Sequence, residues 1–327
     1  MKTRVLFACV LSGFLSLSQP LQAEDEVRVC IQKSIPYLEQ AGTEWIEKRK
    51  CISCHRISFM TWGFREATLR GFDIDRNRLQ ERLTWSVDTT ITPDPKRPAA
   101  CNQNPDGIGQ LLIGHSVQPF ALAPDDSAAL VAELIKVQRE EGSWKPAGQL
   151  PSQKRPADET TQVSTLWNTI GLGHAPATDA IHQSRRRALE FLSTAKPGKS
   201  TEWYAAQLVL SVQEQKADQV KERVLQLKSL QHDDGGWGWL TADPSDALAT
   251  GQALYALSVA RTQPDDAAIR KAQQFLINSQ QPDGSWQVKG TKEGKKNKFE
   301  ETASYWGSAW ATLGLLQSFP LTSQQDK

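Results

Sequence analysis

Residues 231–257 read QHDDGGWGWLTADPSDALATGQALYAL. The stretch leaves one helix, turns sharply and starts another. Gln231 ends the first helix, Asp234-Gly235 makes a tight turn with glycine at positive φ, and Trp237 folds back over the helix ends. Pro244-Ser245-Asp246 then opens the next helix, with Ser245 or Asp246 near its N-cap. The alanine-rich run from Ala247 to Ala260 reads as a helix buried on more than one side. The same loop recurs as Gln138-Arg-Glu-Glu-Gly142-Ser143-Trp144 and as Gln281-Pro-Asp-Gly284-Ser285-Trp286, with a degraded copy at Lys196-Pro197-Gly198…Trp203. Trp237 and Trp286 stand 49 residues apart and Trp144 and Trp237 stand 93 apart, close to two such periods. A repeat of this length marks stacked supersecondary units, in which each hairpin buries its neighbour's apolar face.

The flanking chain supplies the helices. Val220, Val224 and Leu227 step at i, i+4 and i+7, and Asp125-Asp126 and Pro264-Asp265-Asp266 open further helical runs. Sustained β alternation is absent, and about twelve helices can be counted, enough for six hairpins. At this point residues 120–320 resemble the squalene–hopene cyclase and protein prenyltransferase repeat superfamily, on the strength of the 231–257 string and QQPDGSW. The resemblance implies an all-α fold, an α/α-toroid of paired inner and outer helices. It does not carry the family's catalytic residues across. The nearest string to the cyclases' D-x-D-D acid motif is Asp243-Pro244-Ser245-Asp246, which lacks the paired aspartates. No cysteine follows Cys101, so the prenyltransferase zinc site cannot be assembled in the same way.

Composition sets wider bounds. Of 327 residues 39% are hydrophobic, which fits a core-forming protein and excludes a disordered or collagen-like chain. With 38 Lys+Arg against 37 Asp+Glu the charge nearly cancels, so the electrostatic footprint of a nucleic-acid binder is missing. The first 23 residues, MKTRVLFACVLSGFLSLSQPLQA, carry a basic start, an apolar stretch from Val5 to Leu17 and Ala23 at the expected cleavage point. That is the layout of a secretory signal peptide, the apolar core being too short to span a membrane. A secreted or periplasmic protein without a transmembrane segment after cleavage is expected.

Cys51-Ile52-Ser53-Cys54-His55 is a C-x-x-C-H string, the attachment motif of c-type haem. Its two thiols fall on one side of a helical turn and can each add to a porphyrin vinyl group. His55 is then carried under the ring as the proximal iron ligand. A dithiol redox pair and a zinc site are the competing readings, and neither βαβ pattern nor a second C-x-x-C supports them. Met60 lies only ~7.5 Å along a helix from His55, on the proximal side, which disfavours it as sixth ligand. His115, His174, His182 and His232 remain, with His115 least distant in sequence, or else an open or water-bound sixth position. Cys30 and Cys101 are left as an even pair that a disulfide would use.

The segment SIPYLEQAGTEWIEKRKCISCHRISFMTWGFREATLRGF also looks like the front end of exported proteins that join a C-x-x-C-H site to such repeats. These readings combine into three parts: a signal peptide at 1–23, a haem-bearing helical segment at 24–118 and cyclase-like repeats at 119–327. The expected function is an exported monohaem cytochrome acting in electron transfer, redox sensing or small-ligand binding, with haem c as cofactor and a partner the residues do not specify. The alternatives are a terpenoid-processing enzyme using the toroid cavity, with Asp246 as the residue to test, and a non-catalytic binding scaffold. If haem is attached, the exported protein is coloured and heavier by one porphyrin, and replacing His55 alters its visible spectrum. A colourless protein of bare polypeptide mass refutes the motif's reading.

Overall fold

The computed structural model describes residues 18–52, 56–92, 94–95, 104–147, 153–295 and 297–321, the side chains of 18–23 excepted. Twelve α-helices occur among the described residues: α1 Ser18–Arg49, α2 Ser58–Leu69, α3 Arg76–Ile91, α4 Pro105–Gly114, α5 Pro124–Lys136, α6 Ala157–Leu172, α7 Asp179–Ser193, α8 Thr201–Gln213, α9 Ala217–Ser229, α10 Ala247–Val259, α11 Ala267–Ser279 and α12 Glu301–Ser318. Two short strands, β1 Trp237–Gly238 and β2 Ser245–Asp246, pair antiparallel within the second loop.

The even-numbered helices form a closed inner ring. Each packs on the next, from α2 through α4, α6, α8 and α10 to α12, and α12 returns to α2. Each inner helix also packs on the outer helix that follows it, and α12 on α1. The fold is the all-α toroid expected from the repeats. The ring reaches further back than residues 120–320: α2 and α4, both before residue 118, supply two of its six inner helices.

Composition sorts helices between the layers. In α4 every residue is buried, and in α10 every residue from Ala247 to Leu257 is, as befits a helix with neighbours on all sides. Outer α7 buries only Ile181, Ser184, Ala188 and Leu192, the one-sided stripe of an amphipathic surface helix. Side-chain caps fix the starts: Asn104 for α4, Thr178 for α7, Ser200 for α8, Asp246 for α10 and Glu300 for α12.

The recurring loop is a three-way clamp. Its tryptophan indole donates to a carbonyl of the outer helix just finished: Trp144 to Leu134, Trp237 to Leu227 and Trp286 to Leu276, at 2.8, 2.9 and 2.8 Å. Its glutamine amide donates to the loop glycine carbonyl and to the next outer helix, Gln138 to Ser184 and Gln231 to Ala268. In the third copy that role falls to Gln280 and not Gln281, donating to the carbonyls of Gly284 and Cys30. Gly142, Gly235 and Gly284 have φ of 96°, 88° and 87°. A Cβ on them would strike the carbonyls of Arg187, Lys271 and Lys33 in the neighbouring outer helix. The third loop thus docks on α1 and closes the ring. Thr312 and Ser34 hydroxyls at 2.9 Å and the Tyr305 hydroxyl on the Leu38 carbonyl add to that seam. The degraded copy forms no such clamp, since Trp203 lies inside α8 and its indole donates to Gln162.

Gly284→Ala should therefore lower stability by roughly 2 kcal/mol or more, from positive φ and the collision with α1. Gly294→Ala, where a Cβ meets nothing within 4 Å, should change little. Denaturant titration of both separates them, and equal stabilities would refute the closing role of the third loop.

Candidate functional site

The clamps also set a common height inside the ring. The backbone N–H of Trp144, Trp237 and Trp286 donates to Thr165, Thr250 and Ser308 on inner helices α6, α10 and α12, at 3.2, 2.9 and 2.9 Å. Two residues beyond each acceptor stand Trp167, Gln252 and Trp310. Helices α6 and α12 are opposite in the ring, yet the Trp167 and Trp310 rings meet with centroids 5.4 Å apart. This position therefore faces the ring axis. Trp310 also meets Phe59 at 5.0 Å, Trp62 at 5.8 Å and Tyr255 at 5.6 Å. Aromatic side chains from α2, α6, α10 and α12 thus converge at the centre, in contacts worth about 0.5–1.5 kcal/mol per pair beyond burial.

Glycine pairs extend the register to α4. A Cβ on Gly171 of α6 would meet the backbone of Gly109 on α4, just as one on Gly314 of α12 would meet Gly251 on α10. Gly109 and Gly251 are therefore equivalent, and so are Asp106 and Leu248, three residues before them. Asp106 places a carboxyl where α10 has a fully buried leucine. Its Oδ2 accepts the Ala147 N–H at 3.1 Å. Burial pushes its pKa up to about 6, and Glu202 adds to that, while Ser164, the Ala147 amide and Arg155 pull the other way.

Beside it, at the starts of α6 and α8, lies a buried polar cluster. Arg155 donates to Glu202 at 2.7 Å and stacks 4.9 Å over the Trp239 ring. The Trp167 indole donates to the other Glu202 oxygen at 3.2 Å. Glu159 accepts the N–H groups of Lys199 and Ser200 and the Ser200 hydroxyl. Asp246 differs from Asp106 in what its oxygens do. It is the N-cap of α10, accepting from the N–H of Ala249 at 2.8 Å and of Trp239 at 2.9 Å, with burial pushing its pKa up to about 6. Both of its oxygens are committed to backbone.

The residues singled out in the sequence lie elsewhere. Cys51 is buried before α2, its carbonyl accepting the Trp45 indole N–H at 2.8 Å. Cys54, His55 and Cys101 lie outside the described residues, as do residues 1–17 of the leader. The Cys30 thiol is buried in α1, where desolvation pushes its pKa up to about 12, and it makes no disulfide among the described residues. Met60 is a core side chain of α2 against Gly42 of α1. His115 caps the C-terminus of α4, fully buried, with Nδ1 at 2.9 Å from the Phe120 carbonyl. His174 meets the Ser116 hydroxyl, and His232 is held inside the second loop by Ser245 and the Thr241 carbonyl. His182 sits on outer helix α7. Sequence reasoning missed Asp106: Asn104-Pro105-Asp106-Gly107 reads only as a helix start, and its inward aim appears when the glycine pairs fix the register.

No protein-family model matches the chain. The toroid is similar to a variant of the type II terpene cyclase MstE from Scytonema in complex with geranylgeranyl dihydroxybenzoate, with TM-score 0.58 and 14% identity over 92% of this chain and 99% of that one. It is also similar to unsaturated glucuronyl hydrolase from a Bacillus species, with TM-score 0.56 and 13% identity over 90% of this chain and 96% of that one. At such identities the likeness is one of fold. In sequence, 76 residues are 33% identical to drimenyl diphosphate synthase of Streptomyces showdoensis, spanning 23% of this chain and 14% of that enzyme's length. The expected monohaem cytochrome on a helical scaffold is corrected by these findings: the sequence match and the MstE likeness are to terpenoid enzymes, while the glucuronyl hydrolase shares only the toroid. Against the general metal-binding expectation, among the described residues no group of three or more His, Cys, Asp or Glu could hold a metal ion; Cys54 and His55 lie outside those residues. No described helix is long and apolar enough to cross a membrane.

Burial holds the His115 imidazole down at about 4, from an ordinary value of 6.5, with Arg65 adding to the effect and the Phe120 carbonyl opposing it. Between those values the unfolded chain binds the extra proton, so stability is present above the unfolded value and is lost as pH falls. The loss approaches about 3 kcal/mol. Asp106 and Asp246, pushed up, contribute the opposite slope. The difference between wild type and His115→Asn isolates the imidazole, and the variant should lose stability less on acidification. Urea titrations at several pH values check this; parallel curves would refute it.

Proposed function

We propose that the ring interior processes a terpenoid substrate by acid chemistry, with Asp106 as the acid. The observation that carries this reading is the convergence of Trp62, Trp167, Tyr255 and Trp310 from four inner helices, with the buried Asp106 carboxyl on α4, the inner helix packed between α2 and α6. A carboxyl pushed up toward 6 holds its proton nearer neutrality than an ordinary aspartate does. Donated to an alkene or an oxygen of the substrate, that proton leaves a cation on the ligand and a carboxylate on Asp106. The aromatic faces stabilise such a cation within about 6 Å of their centroids, and burial inside the ring limits its capture by water. Loss of a proton to a base then restores charge balance and leaves an isomerised or cyclised product.

The fold likeness to MstE and the short match to drimenyl diphosphate synthase support the substrate class. Asp246, spent on capping α10, takes no part. Export, read from residues 1–23, and covalent haem c, read from Cys51, Cys54 and His55, are separate proposals carried by the sequence alone.

The test is incubation with geranylgeranyl dihydroxybenzoate and with farnesyl diphosphate, followed by mass spectrometry of the products. Asp106→Asn should reduce turnover by roughly a hundredfold or more while the ligand still quenches tryptophan fluorescence. Asp246→Asn should lower the melting temperature and leave the folded enzyme's turnover within a few-fold. No conversion of either compound by wild type, or full activity in Asp106→Asn, overturns the reading.

A further inference from the structure

The ring axis is not lined as a hydrocarbon would require. Gln252 faces it at the same height as Trp167 and Trp310, is fully buried, and has no hydrogen-bond partner on either its amide nitrogen or its amide oxygen. The indole nitrogens of Trp310 and Trp306 are buried donors without a partner as well. An unpaired buried polar group destabilises the folded chain, and a leucine would avoid that cost. The opposite helix shows the contrast. Gln110, equivalent to Gln252 by the Gly109 and Gly251 register, is satisfied by the Ser58 hydroxyl.

Beside the Trp167–Trp310 contact, room exists at the same level against α2. Gly114 of α4 leans on Trp62 of α2 as Gly171 leans on Gly109 and Gly314 on Gly251. By that register Gly63 stands where Gln110 and Gln252 stand. Gly63 is buried, yet a Cβ on it would meet nothing within 4 Å. In an interior packed as tightly as a protein core, a buried glycine facing open space marks the wall of a cavity.

We infer that the axis of the ring binds an oxygenated terpenoid, with a ketone, ether or hydroxyl oxygen of the ligand read by the Gln252 amide and the Trp310 indole against the open face of Gly63. The inference rests on the proposed terpenoid function and adds the polarity of the substrate. Among the unpartnered groups of Gln252, Trp306 and Trp310, donors outnumber acceptors: the amide nitrogen and two indoles face one amide oxygen. The group recognised is accordingly an oxygen that accepts. Its place in mid-ring, beside the aromatic rings, puts it within the ligand's hydrocarbon skeleton and not at an anionic end.

Two isoprenoid chains of diterpenoid length, identical except that one carries a mid-chain ketone, test this by quenching of tryptophan fluorescence on the full chain. Wild type should bind the ketone at least about tenfold more tightly. Gln252→Leu should bind both chains alike, and Gly63→Leu should weaken both by filling the cavity. A second readout needs no ligand. Gln252→Leu should raise the melting temperature of the unliganded protein, because it removes an unpaired buried amide. Equal affinities in wild type, or a Gln252→Leu variant that melts lower and keeps the preference, would show that water holds the amide and would overturn the inference while the terpenoid reading stands. Binding of neither chain to wild type overturns both.

Discussion

The Gln-x₃-Gly-x-Trp clamp decides the geometry of everything inside the ring. Helix pairs that share only apolar faces can slide, because hydrophobic burial is non-directional. Each clamp removes that freedom by tying three helices at once. The indole holds the outer helix just completed, the glutamine and the bare glycine hold the next outer helix, and the tryptophan amide holds a hydroxyl on an inner helix. At about 1 kcal/mol net per hydrogen bond, the direct energy of one clamp is modest. Its larger effect is register. Because the third clamp seats on the Cys30 and Lys33 carbonyls of α1, the ring closes with the device that builds it.

Closure with one register has two consequences. All six inner helices run the same way, so their N-termini share one mouth, and helix N-termini favour negative charge. Asp106, Glu159, Glu202, Asp246 and Glu301 all stand within the first turn of an inner helix or at its cap. Burial opposes the dipole. Where backbone N–H groups or Arg155 meet the carboxylate, as at Glu159 and Glu202, the charge is matched by donors; at Asp106 desolvation dominates and the proton is held more tightly. The second consequence is that one inward position becomes a variable site on a constant frame, holding tryptophan in α6 and α12, glutamine in α4 and α10, and glycine in α2.

The fold was legible because the clamp is local. Gln, Asp-Gly and Trp within seven residues announce a helix end, a turn and a fold-back, and two spacings near a common period announce the stacking. The α1–α4 half of the story was harder to read. No clamp string lies in that segment, and its most conspicuous string, Cys51 to His55, says nothing of how α2 and α4 join the ring. Gln280 was hidden by its neighbour Gln281, since both are glutamines and only the distance to Gly284 tells them apart. The candidate site was largely illegible for a related reason. Asp106, Gln252 and Gly63 carry no motif of their own; each is unusual only against the residue that its equivalent helices hold at the same height.

The comparison of Asp106 with Asp246 shows why position in the repeat outranks resemblance to a motif. Both are aspartates at inner-helix starts, both are buried, and both are pushed up to about 6. Asp246 lies in the string nearest to a cyclase acid motif, but its two oxygens receive the N–H groups that begin α10 and anchor Trp239. Holding a proton there would weaken the cap, so Asp246 cannot be kept loaded as an acid without loosening the helix. Asp106 needs no such duty, because Asn104 already caps α4 by accepting from the N–H of Asp106 and Gly107. A carboxyl relieved of capping and buried on the inward face of α4 can change charge while the helix start stays fixed. Acid chemistry inside the ring requires that separation of roles.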